Sequence, residues 1–194
     1  MRRKTFDSLI SGVGLVLVAV LAVAGGLLTW GHDYIANQVH NQLSAQQIYF
    51  PPANSPAVAG PQFAPMRQYG GQLMTTGAQA EVYADHFIAN HLKEIGGGKT
   101  YAQLSTEAQA QPHNAALAKQ VQTLFQGETL RGLLLNAYAF GTIGEIAGIA
   151  AIAAFAAAAI MLVLSGLGLY HARRVPVTAE ILAGAPRRPV SVDG

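Results

Sequence analysis

Two long hydrophobic stretches, one near each end of the chain, are separated by a more polar segment. The first covers residues 9–30 and the second covers residues 143–170. The hydrocarbon core of a bilayer is crossed by about 20 helical residues, so each stretch is long enough to span it. Charged residues make up only 11% of the chain, against roughly 25% in soluble domains. The sequence therefore predicts an all-α membrane protein with two transmembrane helices.

Basic residues lie just before the first stretch and just after the second. Lysine and arginine near a membrane span mark its cytoplasmic side. We therefore expect a multi-pass protein of the plasma membrane, in contact with lipid, with residues 1–8 and 171–194 cytoplasmic and residues 31–142 extracytoplasmic. The basic residues concerned are Arg2, Arg3, Lys4, Arg173, Arg174, Arg187 and Arg188.

The first stretch also has features of a cleaved signal peptide, because small residues at Ala22 and Ala24 follow a basic start and an apolar run. The apolar run continues past that point and ends in Trp30, with Tyr34 one turn later. Such aromatic residues are typical of a membrane interface. A retained anchor is the favoured interpretation.

Composition excludes several classes of function. The chain contains no cysteine, so disulfides and thiolate metal sites are ruled out. The formal net charge of +2 comes from the terminal segments and not from a basic patch in the central region. Binding to nucleic acid is therefore not expected.

The extracytoplasmic segment begins with a predicted extension of the first helix over residues 33–47. Ile35, Val39 and Leu43 recur at four-residue intervals along one side of it. A proline-rich loop follows at residues 49–71, where five prolines oppose regular helix. We expect this loop to be a wrapping segment or linker outside the core.

The rest of the segment is predicted to be helical. Thr76 with Gln79, and Thr100 with Gln103, fit the capping-box pattern at helix starts. Asn114 is the expected cap of a further helix that runs, with a break at Gly127, into the second span. Between the first two caps an apolar stripe recurs at helical spacing and ends at three glycines, residues 96–98. The stripe comprises Ala84, Phe87, Ile88, His91, Leu92 and Ile95.

One acidic residue, Glu145, lies inside the second hydrophobic stretch. Counting about 20 residues back from Tyr170 at 1.5 Å each puts Glu145 just outside the hydrocarbon, at the outer interface. His32 and Asp33 on the first helix are expected at a similar level. These three residues form a predicted outer-interface polar cluster, in which Glu145 has a structural role in preference to a proton- or ion-handling one.

The second span is rich in small residues. Gly144 and Gly148 form a small-xxx-small pair, and Ala151 continues it. Small residues let membrane helices approach closely. We expect these three residues to pack this helix against protein, either another copy of the chain or a larger partner.

Catalytic and metal-binding patterns are sparse. His86 and His91 are five residues apart, whereas helical zinc pairs stand four apart with a glutamate in HExxH order. His91 also lies in the apolar stripe, which favours a packed histidine over a ligand. Neither a nucleophile elbow nor a phosphate-binding loop occurs. We predict no enzymatic activity, no bound metal and no cofactor.

Two parts of the chain carry a family resemblance. They are YADHFIANHLKEI at residues 83–95, followed by KTY at residues 99–101, and QTLFQGETLRGLLLNAY at residues 122–138. The chain resembles a group of two-span membrane proteins of actinobacteria with an extracytoplasmic helical domain. No activity is established for that group, so the resemblance implies origin and topology and no site.

The sequence thus favours a non-enzymatic integral membrane protein of the cell envelope. It would act through self-association, or as an accessory subunit of a larger membrane complex. The contact surfaces are expected around residues 117–125 and 130–138.

Two alternatives stay open. One is an oligomeric channel or transport component with a pore or lipid cavity between copies, with Glu145 and His32 at its outer mouth. The other is an exported metal-dependent enzyme that uses His86, His91 or His113.

Overall fold

The structure, a computed structural model, describes residues 3–174, and this part of the chain consists of helices and connecting segments, with one isolated antiparallel bridge between Tyr49 and Leu73. Predictions made for Arg2, Arg187, Arg188 and the rest of residues 175–194 lie outside the described residues. The helices are α1 (Arg3–Ala45), α2 (Gly77–Val82), α3 (Ala89–Ile95), α4 (Tyr101–Ala110) and α5 (Ala115–Arg174). Two 3-10 segments, Pro56–Val58 and Pro61–Tyr69, precede α2, and a π-helix, Tyr83–Ile88, joins α2 to α3.

Both long helices extend well beyond the hydrophobic stretches. At 1.5 Å per residue, α1 is about 65 Å long and α5 about 90 Å long. Each is long and apolar enough to cross a membrane. The predicted extension of the first helix, and the continuity of the last helix with the second stretch, are confirmed.

The predicted break at Gly127 is wrong, because α5 is continuous through it. A Cβ atom added to Gly127 would collide with the side chain of Leu92. The glycine therefore provides room for a close contact between α3 and α5, and its helical backbone needs no interruption.

The chain divides into two compact units. The paired-helix unit comprises the residues up to Thr29 and from Ile149 onward, and the central unit comprises Trp30–Gly148. In the paired-helix unit, α1 and α5 run antiparallel, because Gly14 lies opposite Ser165 and Gly25 lies opposite Phe155. Small buried residues on α5 recur every seventh position, the spacing of a left-handed helix pair. They are Ala151, Ala158, Ser165 and Ala172.

The central unit has a continuous apolar core. α1 contributes Val39 and Leu43, while α5 contributes Leu117, Leu124 and Leu134. The helices between them complete the core with the buried side chains of Ala80, Ala84, Ile88, Leu92 and Leu104. Three of these, Ala84, Ile88 and Leu92, belong to the six-residue apolar stripe, and Phe87 of the stripe is partly buried against the core. Ile95, at the end of the stripe, is exposed.

The proline-rich segment belongs to this core, so the prediction of a linker outside it is wrong. Phe50, Val58, Phe63 and Met66 are buried among the helices. Pro56 and Pro61 stand at the first position of the two 3-10 segments, where no backbone donor is needed, and Pro65 lies inside the second segment. The Arg67 guanidinium donates to the Val58 carbonyl at 2.7 Å and fixes the segment further.

The predicted helix boundaries are confirmed. Thr76 and Thr100 each form a reciprocal capping box with the glutamine three residues later. The Asn114 side chain accepts from the backbone N–H of Leu117 at 3.0 Å. The three glycines end α3, with positive φ at Gly97 and Gly98, a backbone conformation that glycine adopts without steric cost.

Candidate interaction site

An exposed apolar groove lies between the parts of α1 and α5 that belong to the central unit. Its volume is about 560 Å³. Leu133 and Phe140 on α5 are 62% and 53% exposed at its edge. The groove is lined on one side by Tyr34, Ile35, Gln38, Val39, Gln42, Leu43 and Gln46, and on the other by Leu130, Leu133, Leu134, Asn136, Ala137 and Phe140.

The groove is uncharged. Its lining contains no lysine, arginine, histidine, aspartate or glutamate. Gln38, Gln42 and Gln46 follow one another at four-residue intervals and so form one polar rim along α1, while Asn136 stands on the α5 side. Each of these amides carries two N–H donors and an acceptor oxygen. The arrangement is an apolar floor between neutral polar edges.

The two predicted contact surfaces differ in the structure. In residues 117–125, Leu117 and Leu124 are buried in the core of their own unit, and the exposed Phe125 packs on Tyr101 with ring centroids 5.7 Å apart. This first surface therefore serves mainly the fold of the chain itself. In residues 130–138, Leu130 and Leu133 are exposed and line the groove.

Gly144 and Gly148 face α1 of the same chain. A Cβ atom added to Gly144 would lie 3.0 Å from Cγ2 of Ile35, and one added to Gly148 would lie 2.9 Å from Nδ1 of His32. His32 Nδ1 donates to the Gly144 carbonyl at 2.8 Å. The pair of glycines thus makes room for the imidazole, within the central unit. The third predicted packing residue, Ala151, is buried on the part of α5 that belongs to the paired-helix unit.

The predicted polar cluster is only partly assembled. His32 is half-buried against α5, whereas Asp33 and Glu145 are exposed. Within residues 3–174, neither carboxylate forms an ion pair, and His32 bonds a backbone carbonyl and not an acid. His32 therefore contacts Gly144 and Gly148, and it does not bond the carboxylate of Asp33 or Glu145.

The candidate histidines of α3 and the π-helix act locally. His91 Nδ1 donates to the Phe87 carbonyl at 2.7 Å, and its ring packs on Phe87 at 4.3 Å between centroids. His86 Nδ1 donates to the Gln62 carbonyl at 3.0 Å and so ties the π-helix to the proline-rich segment. The packed interpretation of His91 is confirmed. Among residues 3–174 there is no group of three His, Cys, Asp or Glu side chains able to hold a metal ion.

One ion pair, between Arg131 and Asp85, also attaches the π-helix to α5. Arg131 donates to Asp85 at 2.9 Å and lies 3.6 Å from Glu128. The side chains in both contacts are partly exposed to solvent, so each contact contributes at most about 1 kcal/mol. Nearby, burial among aromatic rings raises the pKa of the Tyr83 phenol. Its ring packs on Phe50 at 5.3 Å and on Phe87 at 4.8 Å between centroids.

The predicted α1 face of Ile35, Val39 and Leu43 lines the groove, but the three glutamines beside it were not predicted as part of a site. The four-residue spacing of Gln38, Gln42 and Gln46 is visible in the sequence, and it predicts one continuous helix face. Phe140 was also missed, although it stands seven residues after Leu133 and therefore on the same face. A search for neutral polar stripes beside apolar ones would have found both.

No protein-family model, no curated protein and no solved structure matches the chain significantly. The assignment of a function therefore depends on the geometry described above.

Proposed function

We propose that this protein is an integral membrane protein of the cell envelope that acts by self-association through the groove of its central unit, and not by catalysis. Residues 9–30 and 143–170 cross the membrane, both termini are cytoplasmic, and residues 31–142 form the extracytoplasmic domain. The observation that carries the proposal is the uncharged apolar groove on helices that continue directly into the two apolar stretches.

The membrane part of the proposal is supported by the surface of the paired-helix unit. Soluble proteins rarely expose contiguous apolar patches of more than a few hundred Å². Here large apolar side chains are exposed along both helices, as expected of side chains that contact lipid. They include Leu9, Val13, Val16, Val20, Val23, Leu27, Ile152, Ile160, Val163 and Leu167.

The groove supports association because its apolar edge would otherwise face water. Burying apolar surface yields about 25 cal/mol for each Å² removed from water. Two antiparallel helices with an open groove accept further helices in it, and a second such pair completes a four-helix arrangement. Leu133 and Phe140 are positioned to be the central contacts of such an arrangement.

The chemistry of the groove favours a second copy as its occupant. In a twofold interface the same patch of both chains meets itself, so a charged patch would repel its own copy. This groove has no charge on its lining, and homodimer interfaces are depleted in charge. Its amides are self-complementary, because each one both donates and accepts. An accessory role in a larger complex would instead place another protein against the same surface.

The experiment is the measurement of particle mass by native mass spectrometry, on protein extracted from membranes in mild detergent. We expect the wild type to be a dimer or a larger assembly. Leu133→Glu should give monomers, because it brings like charges together in the apolar contact. The matched control is Gly132→Glu, which adds the same charge at the adjacent, exposed position outside the groove lining.

Two results would contradict the proposal. A wild-type protein that is monomeric at all concentrations would exclude self-association, and an unchanged assembly of the Leu133→Glu variant would exclude the groove. Release of the protein from membranes by alkaline carbonate would contradict the membrane assignment separately.

A further inference from the structure

We infer, on the basis of the membrane assignment proposed above, that a cavity in the paired-helix unit binds the headgroup of an aminophospholipid, with the Asp7 carboxylate accepting its primary ammonium group. The cavity lies between the first turns of α1 and the last turns of α5. Its volume is about 490 Å³. This is within the range of small-molecule sites and far more than a single ion fills.

Asp7 is the acidic residue of the cavity. Its Oδ2 atom is buried and accepts no hydrogen bond within residues 3–174. Among the residues whose side chains are described, 4–174, Asp7 has no ion-pair partner within 4.0 Å. A buried carboxylate oxygen without a donor is costly, and native proteins satisfy nearly all such atoms. A bound cation that donates hydrogen bonds supplies the missing partner.

Two serines share the cavity with Asp7. Ser11 and Ser165 line the cavity and are only 4% and 5% exposed. Each hydroxyl faces a glycine of the other helix, Ser165 facing Gly14 and Ser11 facing Gly168, and a Cβ atom at either glycine would collide with it. Ser11 stands one helical turn after Asp7 on α1, so its hydroxyl is the second acceptor for the N–H donors of an ammonium group held by Asp7.

The rest of the cavity suits the body of a lipid. Ile10, Leu164 and Leu167 line it beside the polar groups, and they would contact the glycerol and the start of the acyl chains. Lys4 is exposed one helical turn before Asp7 and is therefore on the same side of α1. A basic side chain at that position is suited to the lipid phosphate, which is attached close to the ammonium.

A primary ammonium fits these groups better than the other cations do. A quaternary choline group has no N–H to donate to the Asp7 oxygen. An inorganic cation would satisfy Asp7 but leave the apolar part of the cavity unfilled. Discrimination between ethanolamine and choline headgroups is therefore the signature of the site.

The test uses the full chain, purified in detergent and mixed with phosphatidylethanolamine or with phosphatidylcholine of the same acyl chains. Native mass spectrometry measures the lipid retained, and thermal unfolding checks folding. We expect about tenfold tighter retention of phosphatidylethanolamine, which corresponds to one charge-assisted hydrogen bond. Asp7→Asn should remove this preference, whereas Asp33→Asn, at an exposed carboxylate of α1 outside the cavity, should keep it.

Equal retention of the two lipids by the wild type, or a preference that survives Asp7→Asn, would overturn the inference. If Asp7→Asn does not fold, Ser11→Ala is the second variant, and an undiminished preference there would overturn it as well. Free ethanolamine or sodium chloride that stabilises the protein as much as the lipid does would assign the site to a soluble cation instead of a lipid. None of these outcomes depends on the carbonate or particle-mass measurements, so the two proposals fail separately.

Discussion

The imidazole of His32 lies against Gly148 and donates from Nδ1 to the carbonyl oxygen of Gly144, 2.8 Å away. Both glycines are therefore committed to a contact within the chain. A larger side chain at either position acts first on the pairing of α1 with α5 in the central unit. Its effect on assembly follows only through that pairing.

Gly148→Leu should destabilise the protein by about 1–3 kcal/mol, the usual cost of overpacking. The added Cβ alone would lie 2.9 Å from His32 Nδ1 and would displace the ring from the Gly144 carbonyl. Thermal unfolding in detergent measures the change. Gly132→Leu is the control, because nothing lies within 4 Å of a Cβ at that position. Equal stability of the two variants would refute the contact.

The paired-helix unit offers a stricter comparison at two adjacent glycines. A Cβ atom at Gly25 would lie 2.9 Å from the ring of Phe155, whereas one at Gly26 meets open space. Gly25→Leu should therefore lower the unfolding temperature, by the equivalent of about 1–3 kcal/mol, and Gly26→Leu should not. If both variants unfold alike, α1 and α5 do not pair in this register.

The role of the proline-rich segment is tested at its first aromatic residues. Phe50 is 1% exposed and Tyr49 is 60% exposed. Phe50→Ala should cost about 3–5 kcal/mol, and Tyr49→Ala about 0.5 kcal/mol, as is usual for a surface position. Chemical denaturation provides both values. A small effect of Phe50→Ala would restore the interpretation of this segment as a linker.

The buried phenol of Tyr83 should make the free energy of unfolding fall at alkaline pH. Its pKa is raised by burial above the ordinary value of 10.0, so on raising the pH the unfolded chain loses the phenolic proton before the folded protein does. Stability from this group is thus complete below pH 10 and is lost as the pH rises toward the folded-state pKa. Tyr83→Phe should reduce the loss of stability measured above pH 10. Tyr34→Phe, at an exposed position, should not change the loss of stability above pH 10. Identical pH profiles for the two variants would contradict the conclusion that burial of Tyr83 causes this loss.

Features that depend on neighbours in the sequence were predictable. The reach of α1 to Ala45 follows from Ile35, Val39 and Leu43 at helical spacing, and the two capping boxes follow from threonine and glutamine three residues apart. These patterns describe local backbone and one helix face. They are independent of which other segment covers that face.

Features that depend on contacts between distant segments were not predictable in the same way. The prolines at residues 49–71 indicate a backbone that is not a regular α-helix, but they do not indicate whether the segment is buried. The burial of Phe50 and Met66 in the core was therefore not predicted. The small residues of α5 indicated close packing but could not identify α1 as the partner of Gly144. The groove needs both helices, since neither the glutamines of α1 nor Leu133 alone defines it.

Single-cysteine cross-linking in native membranes tests self-association through the groove most directly, because the chain has no cysteine of its own. A disulfide forms only where two Cα atoms come within about 7 Å. Cysteines are introduced one at a time at Leu130, Leu133, Ala137 and Phe140, and at the exposed control positions Gly132 and Ala139. Self-association through the groove predicts disulfide-linked dimers at one or more of the four groove positions and none at the two controls. Dimers at the controls as readily as in the groove, or no dimers at any groove position, would contradict it.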